Sequence, residues 1–345
     1  LVYQTNYRID SSSAITVTVG AGGTGAPTAG GSTKPTNGEN SVFGTITAIG
    51  GGSGGGYVTS PSAYYSANSG GSGGGGCYAI NAGASGTSLQ GYAGGNGTSN
   101  ANPGAYAAGG GGGAAGVGAD ANASTGKGGD GGNGLQYDIT GTPTYYAGGG
   151  GGGVGYQISG RTPGNGGLGG GGNGSATGIG TAGTANTGGG GGGTGNVSGP
   201  PYPGAASANG GSGIVVVRYK GKPKATGGTI TQHNNYTVHT FTSSGTFTPL
   251  AKQNATLVNG PTFSNGGIVL DGVNDYISLP ITGMAPSTLT QEMWIKLNAT
   301  GNGANLVVID NNDNPELRFR ITSGNKISIS WYDDSTYIAT FTSCL

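Results

Sequence analysis

The frame G-x-S-x-G, which exposes a serine nucleophile on a tight turn, occurs twice, at Gly51-Ser53-Gly55 and Gly70-Ser72-Gly74. Such a serine needs a neighbouring base. The two histidines, His233 and His239, stand in a strand-like stretch outside the glycine region, so both frames read as glycine sequence with a small polar substitution. Phosphate chemistry fails similarly. A P-loop lysine precedes Ser or Thr, but Gly126-Lys127 is followed by Gly and Gly221-Lys222 by Pro. With 84 glycines in 345 residues, G-x-G-x-x-G words arise by chance and carry no information. Glycoside hydrolysis needs two carboxylates flanking the sugar bond, and Glu39, Glu292 and Glu316 form no cluster. The sequence predicts a protein that is not an enzyme.

Two weaker kinds of site remain. Asp310, Asn312 and Asp313 are hard oxygen ligands of the kind calcium takes, but Pro315 stands where a calcium loop calls for glycine. Their plain reading, with Asp333 and Asp334, is solvated turn residues. No other cofactor is indicated, since Cys77 and Cys344 belong to no C-x-x-C or Cys/His cluster. Among the tyrosines, Tyr64 and Tyr65 in SPSAYYSANS and Tyr202 in GPPYPG fall in Pro/Ser/Asn loops. Aromatic rings there can stack on sugars or grip a protein epitope, which makes these three the candidate ligand-binding residues. Tyr106 and Tyr145-Tyr146 precede glycine runs at matching phase and are expected to lid helix ends. The 13 basic and 13 acidic residues balance, which removes the electrostatic footprint of a nucleic-acid binder. No run of about 18 apolar residues is present, so no membrane insertion is expected.

The framework that must hold these residues is mostly glycine. Gly plus Pro reaches the level of low-complexity chains, yet few residues are charged and words such as Ile214-Val215-Val216-Val217 need burial. Order shows in the spacing. Glycine runs begin at Gly70, Gly109, Gly148 and Gly188, and GGNG recurs at 94–97, 131–134 and 171–174. A repeat of about 39 residues signals stacked units, which a flexible linker has no reason to keep.

Within a unit the period is three: residues 126–134 read GKG-GDG-GNG and 164–169 read GNG-GLG. Three is the period of the extended left-handed helix, which makes no internal hydrogen bonds. Its backbone groups must find partners in neighbouring helices. A helix inside such a bundle needs glycine on every edge, as in the hexaglycine of TYYAGGGGGGVGY, whereas a surface helix can read GGX. About two antiparallel helices per repeat are expected. Gly150 should then tolerate no side chain, and Asp130 should be replaceable.

The fold class is therefore irregular plus β, with essentially no α-helix: a polyglycine-II bundle with flanking strands over 1–219, a small β element at 220–250, and a β domain over 251–345. Strands are expected at 14–19, 214–219 and in two pieces around a Ser-Ser-Gly turn within 236–247. The third part should hold strands at 267–270, 275–279, 291–297, 304–309, 316–322, 326–332 and 336–341.

These words resemble known families. AITVTVGAGGTG, GENSVFGTITAIGGGSGGG and NGGSGIVVVRYKG are similar to the glycine-rich domain of bacteriophage tail-fibre and adhesin proteins, and GGTITQHNNYTVHTFTSSGTF to its accompanying β element. That resemblance implies layered polyglycine-II helices with tip loops that bind the host surface. Residues 254–345 resemble the beginning of a concanavalin A-like (laminin-G-like) jelly roll through GGIVLDGVNDYISLP and LTQEMWIKL, implying a glycan-binding sandwich, sometimes with calcium. The abrupt start and end suggest a piece of a longer fibre protein. The function expected is a tail-fibre or adhesin component, on the virion or the cell surface. Its partners would be host glycans or an outer-membrane protein, together with other fibre subunits. The alternative is a structural filament or matrix protein that binds no receptor.

Overall fold

In the computed structural model, residues 1–9, 13–26, 33–59, 62–78, 80, 82–98, 106–155, 160–195 and 206–250 are described, together with the strands of the C-terminal part. The chain packs as two units, Leu1–Leu250 and Ala251–Leu345. Every strand pairing in both is antiparallel, and no helix occurs among the described residues.

The strands of the first unit are Ile15–Thr18 (β1), Ser41–Phe43 (β2), Ile46–Ala48 (β3), Gly56–Thr59 (β4), Ser62–Tyr65 (β5), Leu135–Tyr137 (β6), Thr144–Tyr146 (β7), Val215–Lys220 (β8), Ala225–Thr226 (β9), Thr229–His233 (β10), Tyr236–Phe241 (β11) and Gly245–Pro249 (β12). One sheet has the order β3-β2-β1-β12-β9 and another β10-β11-β8. The two strands flanking the Ser-Ser-Gly turn thus do not form a hairpin. β11 pairs with β8 and β12 crosses to β1, matching Ile15 with Phe247. The crossing encloses Val17, Phe43, Ala225, Phe241 and Phe247, with Phe43 edge-on to Phe247 at 5.6 Å. Each phenylalanine so buried contributes about 1.5–3 kcal/mol.

His239 lies fully buried beside this cluster. Its Nδ1 is 2.7 Å from the Gly227 carbonyl, which can only accept, so Nδ1 carries the proton. Nε2 therefore accepts from the Tyr219 hydroxyl at 2.9 Å, and that oxygen in turn accepts the Lys224 N–H at 2.8 Å.

The rest of the first unit has almost no apolar interior. Gly148–Gly153 is buried throughout and bonds outward in strict rotation at 2.8–3.0 Å. The carbonyls of Gly148 and Gly151 accept from Gly190 and Gly193; those of Gly149 and Gly152 accept from Gly167 and Gly164. Those of Gly150 and Gly153 accept from Gly111 and Ala108. The N–H groups of Gly148 and Gly151 donate to Gly169 and Gly172, and those of Gly149 and Gly152 to Gly132 and Gly129. A partner that recurs every third residue is the bonding of a packed polyglycine-II helix. A Cβ on any of the six glycines would lie closer than 3.0 Å to a neighbour's backbone oxygen.

Surface helices follow a second rule. The side chains of Asn96, Asp130, Asn133, Asn165, Leu168 and Asn173 sit outside their GGX words, as expected, and most do more than face water. Asp130 Oδ1 accepts the Asn165 N–H at 2.8 Å, Asn133 Oδ1 that of Leu168 at 3.0 Å, and Asn173 Oδ1 that of Gly166 at 2.8 Å. Asn96 Oδ1 does the same for Gly83 at 3.1 Å. Where a surface helix lacks a neighbouring carbonyl, an Asx oxygen stands in for it. Asp130 also pairs with Lys127 at 2.7 Å, so its replacement removes more than a solvated side chain. The helix count is corrected. Extended segments 109–113, 116–121 and 128–134 lie between the run starts at Gly109 and Gly148, three rather than two, because a central run needs neighbours on several sides.

In the second unit the strands are Thr256–Val258 (β13), Thr262–Ser264 (β14), Gly267–Val269 (β15), Tyr276–Ser278 (β16), Asn305–Ile309 (β17), Glu316–Thr322 (β18), Lys326–Asp333 (β19) and Thr336–Cys344 (β20). The last four form a meander in that order, while β13 pairs with β16 and β14 with β15. Leu317, Phe319 and Ile321 stand opposite Trp331, Ile329 and Ile327, so the alternation places these apolar residues on one face. β13 and β14 were not expected from sequence, and the strand expected at 291–297 lies outside the described residues.

Gly150→Val is expected to abolish the cooperative melt of the first unit. Asp130→Val should keep it but lower stability by about 0.5–1 kcal/mol, the worth of an exposed hydrogen bond. Parallel thermal unfolding checks both, and equal losses would contradict the lattice. Tyr219→Phe leaves His239 Nε2 and the Lys224 N–H without their partner, so a loss of about 1–3 kcal/mol is expected in urea unfolding.

Candidate functional site

The hydrogen-bond register shows which residues lie level along the bundle. Gly153 is level with Ala108, and Gly152 with Gly129 and Gly164, near one end; Gly148 is level with Gly169 and Gly190 near the other. The second of these is the sheet end, where Gly20 accepts from Gly213 and the chain passes into β1 and β8. At the first end the residues that flank connections 27–32, 99–105, 156–159 and 196–205 are gathered, and so is the β4–β5 hairpin. It is the loop end.

Tyr65 closes β5 there, half-buried, with Lys34 Nζ 5.4 Å from its ring centroid. Burial, and secondarily the nearby Cys77 thiol, pushes its phenol from 10.0 up to about 12. Cys77 is buried, with Sγ 3.7–3.8 Å from the carbonyls of Gly56, Tyr65 and Ile80. Burial raises its pKa, so the thiol is an inert core group rather than a nucleophile. Nearby, the Tyr78 and Tyr106 rings lie 4.3 Å apart, and the Arg161 guanidinium sits 5.9 Å from the Tyr106 centroid while donating to the Gly155 carbonyl. This cation–π and ring contact ties three connections together.

Of the sequence candidates, Tyr65 is placed at the loop end and Tyr64 precedes it in β5, opposite Tyr57. Tyr202 lies outside the described residues, between Gly195 and Ala206, which are both at that end. Asp310, Asn312 and Asp313 also lie outside the described residues. Tyr106 and Tyr146, which hold the same phase in sequence, stand at opposite ends of the bundle because the runs they precede are antiparallel. Lys34, Tyr78 and Arg161 were not singled out from sequence. The available signal was their rarity, a cation or a second aromatic among glycine, but the partner of each is remote in sequence.

Ser53 Oγ accepts from Asn68 Nδ2 at 2.9 Å, and His239 is committed to Tyr219 and Gly227 within the sheets. Among the described residues no group of three His, Cys, Asp or Glu could hold a metal.

Compared with known protein families, residues 1–220 match the family described as the glycine-rich domain. The chain belongs to that family. Residues 271–344 match the concanavalin A-like lectin/glucanases superfamily, in its laminin-G-type form. No curated protein and no solved structure matches the chain. A glycine-rich domain joined to a lectin-like one fits a structural or adhesin-type protein.

The phenol of Tyr65 gives this end of the glycine-rich domain a pH signature. Its folded pKa lies above the ordinary 10.0, at about 12, so the folded state holds the proton more tightly. The stability this supplies is complete below pH 10 and lost as pH rises toward 12. Tyr65→Phe should flatten the fall in melting temperature between pH 9 and 12, and an identical fall in both proteins would contradict the placement.

Proposed function

We propose that the protein is a non-enzymatic adhesin, a component of a bacteriophage tail fibre, whose loop end meets the host surface. The supporting observation is the segregation of the bundle's ends. Sheets with a hydrophobic core close one end, and long connections rich in Tyr, Pro, Ser and Asn leave from the other. A rigid scaffold that displays variable connections on one side is the general arrangement of a binding protein. Rigidity here comes from bonds between helices, so a loop can change composition without altering the lattice. The partners are host glycans or an outer-membrane protein at the loop end and other fibre subunits elsewhere, which places the protein on the virion. The lectin-like part over 271–344 favours carbohydrate as at least one ligand class.

Replacing 99–105 and 196–205 with short Gly/Ser connectors should abolish adsorption of the labelled protein to host bacteria. The melting temperature should stay within about 3 °C, because exposed loop tips tolerate such exchange. Full adsorption by the exchanged protein would remove the loop end from the interface. Regular filaments formed without any adsorption would favour the structural reading.

A further inference from the structure

Around the hexaglycine run, five lattice directions are taken by neighbouring helices and one is not. The N–H groups of Gly150 and Gly153, which rotate into that sixth direction, bond to no described residue. The same holds for Gly51 and Gly54. These groups face one space. Segments 20–26, 36–39, 50–55, 72–76, 108–113, 148–153, 188–194 and 207–213 form a closed ring, each joined to the next by hydrogen bonds, and none of those bonds crosses the interior. The ring encloses a cavity of about 540 Å³. Its lining extends from Ile49 and Ile214 at the sheet end to Tyr65, Tyr78 and Tyr106 at the loop end.

Three properties of this slot define what it can hold. Its wall is largely backbone, so it presents N–H donors that recur every three residues, about 9 Å apart along a helix axis. A buried donor without a partner costs about 1–3 kcal/mol, so polar atoms must fill the space. Its lining carries no Lys, Arg or Asp side chain; its charged groups are the Glu39 carboxylate and the Leu1 ammonium, which donates to the Gln90 carbonyl at 2.8 Å, so the wall is close to neutral and an ionised ligand would enter largely uncompensated. Its loop-end lining carries three tyrosines; Lys34 and Arg161 take one face each of Tyr65 and Tyr106, which leaves amphipathic rings and hydroxyls of the kind that suit a sugar's mixed surface. A run of six residues spans about 19 Å, which calls for an elongated occupant.

We infer that the slot is a binding site for a neutral, unbranched glycan chain, lined at its loop end by Tyr65, Tyr78 and Tyr106 and held by backbone groups. This rests on the adhesin reading and assigns its ligand class. A slot filled only by water, or by an extended glycine-rich peptide, would share the donors but has no use for the aromatic lining.

The slot can be blocked without disturbing the lattice. A Cβ at Gly51 would meet nothing within 4 Å and one at Gly54 nothing nearer than 3.6 Å, whereas a Cβ at Gly52, on another edge, would collide with the Asn68 carbonyl. The Gly51→Phe/Gly54→Phe double variant should therefore keep its cooperative melt, and Gly52→Phe should lose it. A double variant that fails to fold would show that these positions do not face open space and would overturn the site. Full-length protein and double variant are applied to an array of neutral and acidic linear glycans, and to host bacteria. The wild type should retain neutral unbranched chains over acidic ones, and the double variant should bind them at least about tenfold more weakly. Retention of no neutral glycan, or equal binding by both proteins, overturns the proposal. Adsorption to bacteria that survives in the double variant would assign adhesion to the outer loops and leave the slot to water. Absence of adsorption by the wild type would instead remove the adhesin reading.

Discussion

Everything in the first unit depends on one constraint: a helix without internal hydrogen bonds must satisfy its backbone through its neighbours. Ordering a residue costs about 1–2 kcal/mol, with glycine at the costly end, and a hexaglycine run buries no side chain to offset it. The offset comes from bonds such as Gly149 N–H to the Gly132 carbonyl and Gly111 N–H to the Gly150 carbonyl, which join segments well apart in sequence. No single helix is stable by that logic, so the lattice forms as a whole. What closes it is ordinary hydrophobic chemistry. β1 meets β12 across most of the unit and brings Val17 against Phe247 and Phe43.

The same constraint explains the distribution of polar residues. Inside the lattice most glycines face a neighbour's carbonyl that leaves no room for a side chain, as Gly150 faces that of Gly191. On its surface a missing neighbour leaves an N–H unpaired, and Asn or Asp supplies the oxygen, as Asn133 does for Leu168 and Asp130 for Asn165. The GGN words are thus a surface code as well as a spacing. Charge is nearly absent from this scheme because amide oxygens suffice. Of the cations near the loop end, Lys34 and Arg161 lie over tyrosine rings and Lys127 pairs with Asp130. The chemical variety of such a bundle lies in its connections and in the space it encloses.

Much of the fold was legible beforehand. The interior and surface roles of GGGGGG and GGX followed from the three-fold period, and 316–322 emerged as β18 with the expected limits, because its alternation of Leu, Phe and Ile with Arg and Thr is regular. Other features were hidden by distance. The separation of β11 from β12 turns on pairings with β8 and β1, and nothing local in FTSSGTF distinguishes a hairpin from a crossing. The cluster of Tyr78, Tyr106 and Arg161 draws on three connections whose order in space depends on which runs are parallel. β13 and β14 escaped, although β15 and β16 are equally short.

By itself, the sequence determined the period, the absence of helix among the described residues and the glycine-rich family, because each is a property of residue type and spacing along the chain. Tertiary structure decided which end of each helix faces which way. It therefore also decided where the tyrosines stand, which N–H groups receive an Asx oxygen, and that the sixth side of the hexaglycine run faces a slot. Those outcomes depend on the direction of neighbouring runs, and a helix of bare backbone bonds equally well to parallel and antiparallel partners. Only the path of the connections and the closure of the sheets select one arrangement.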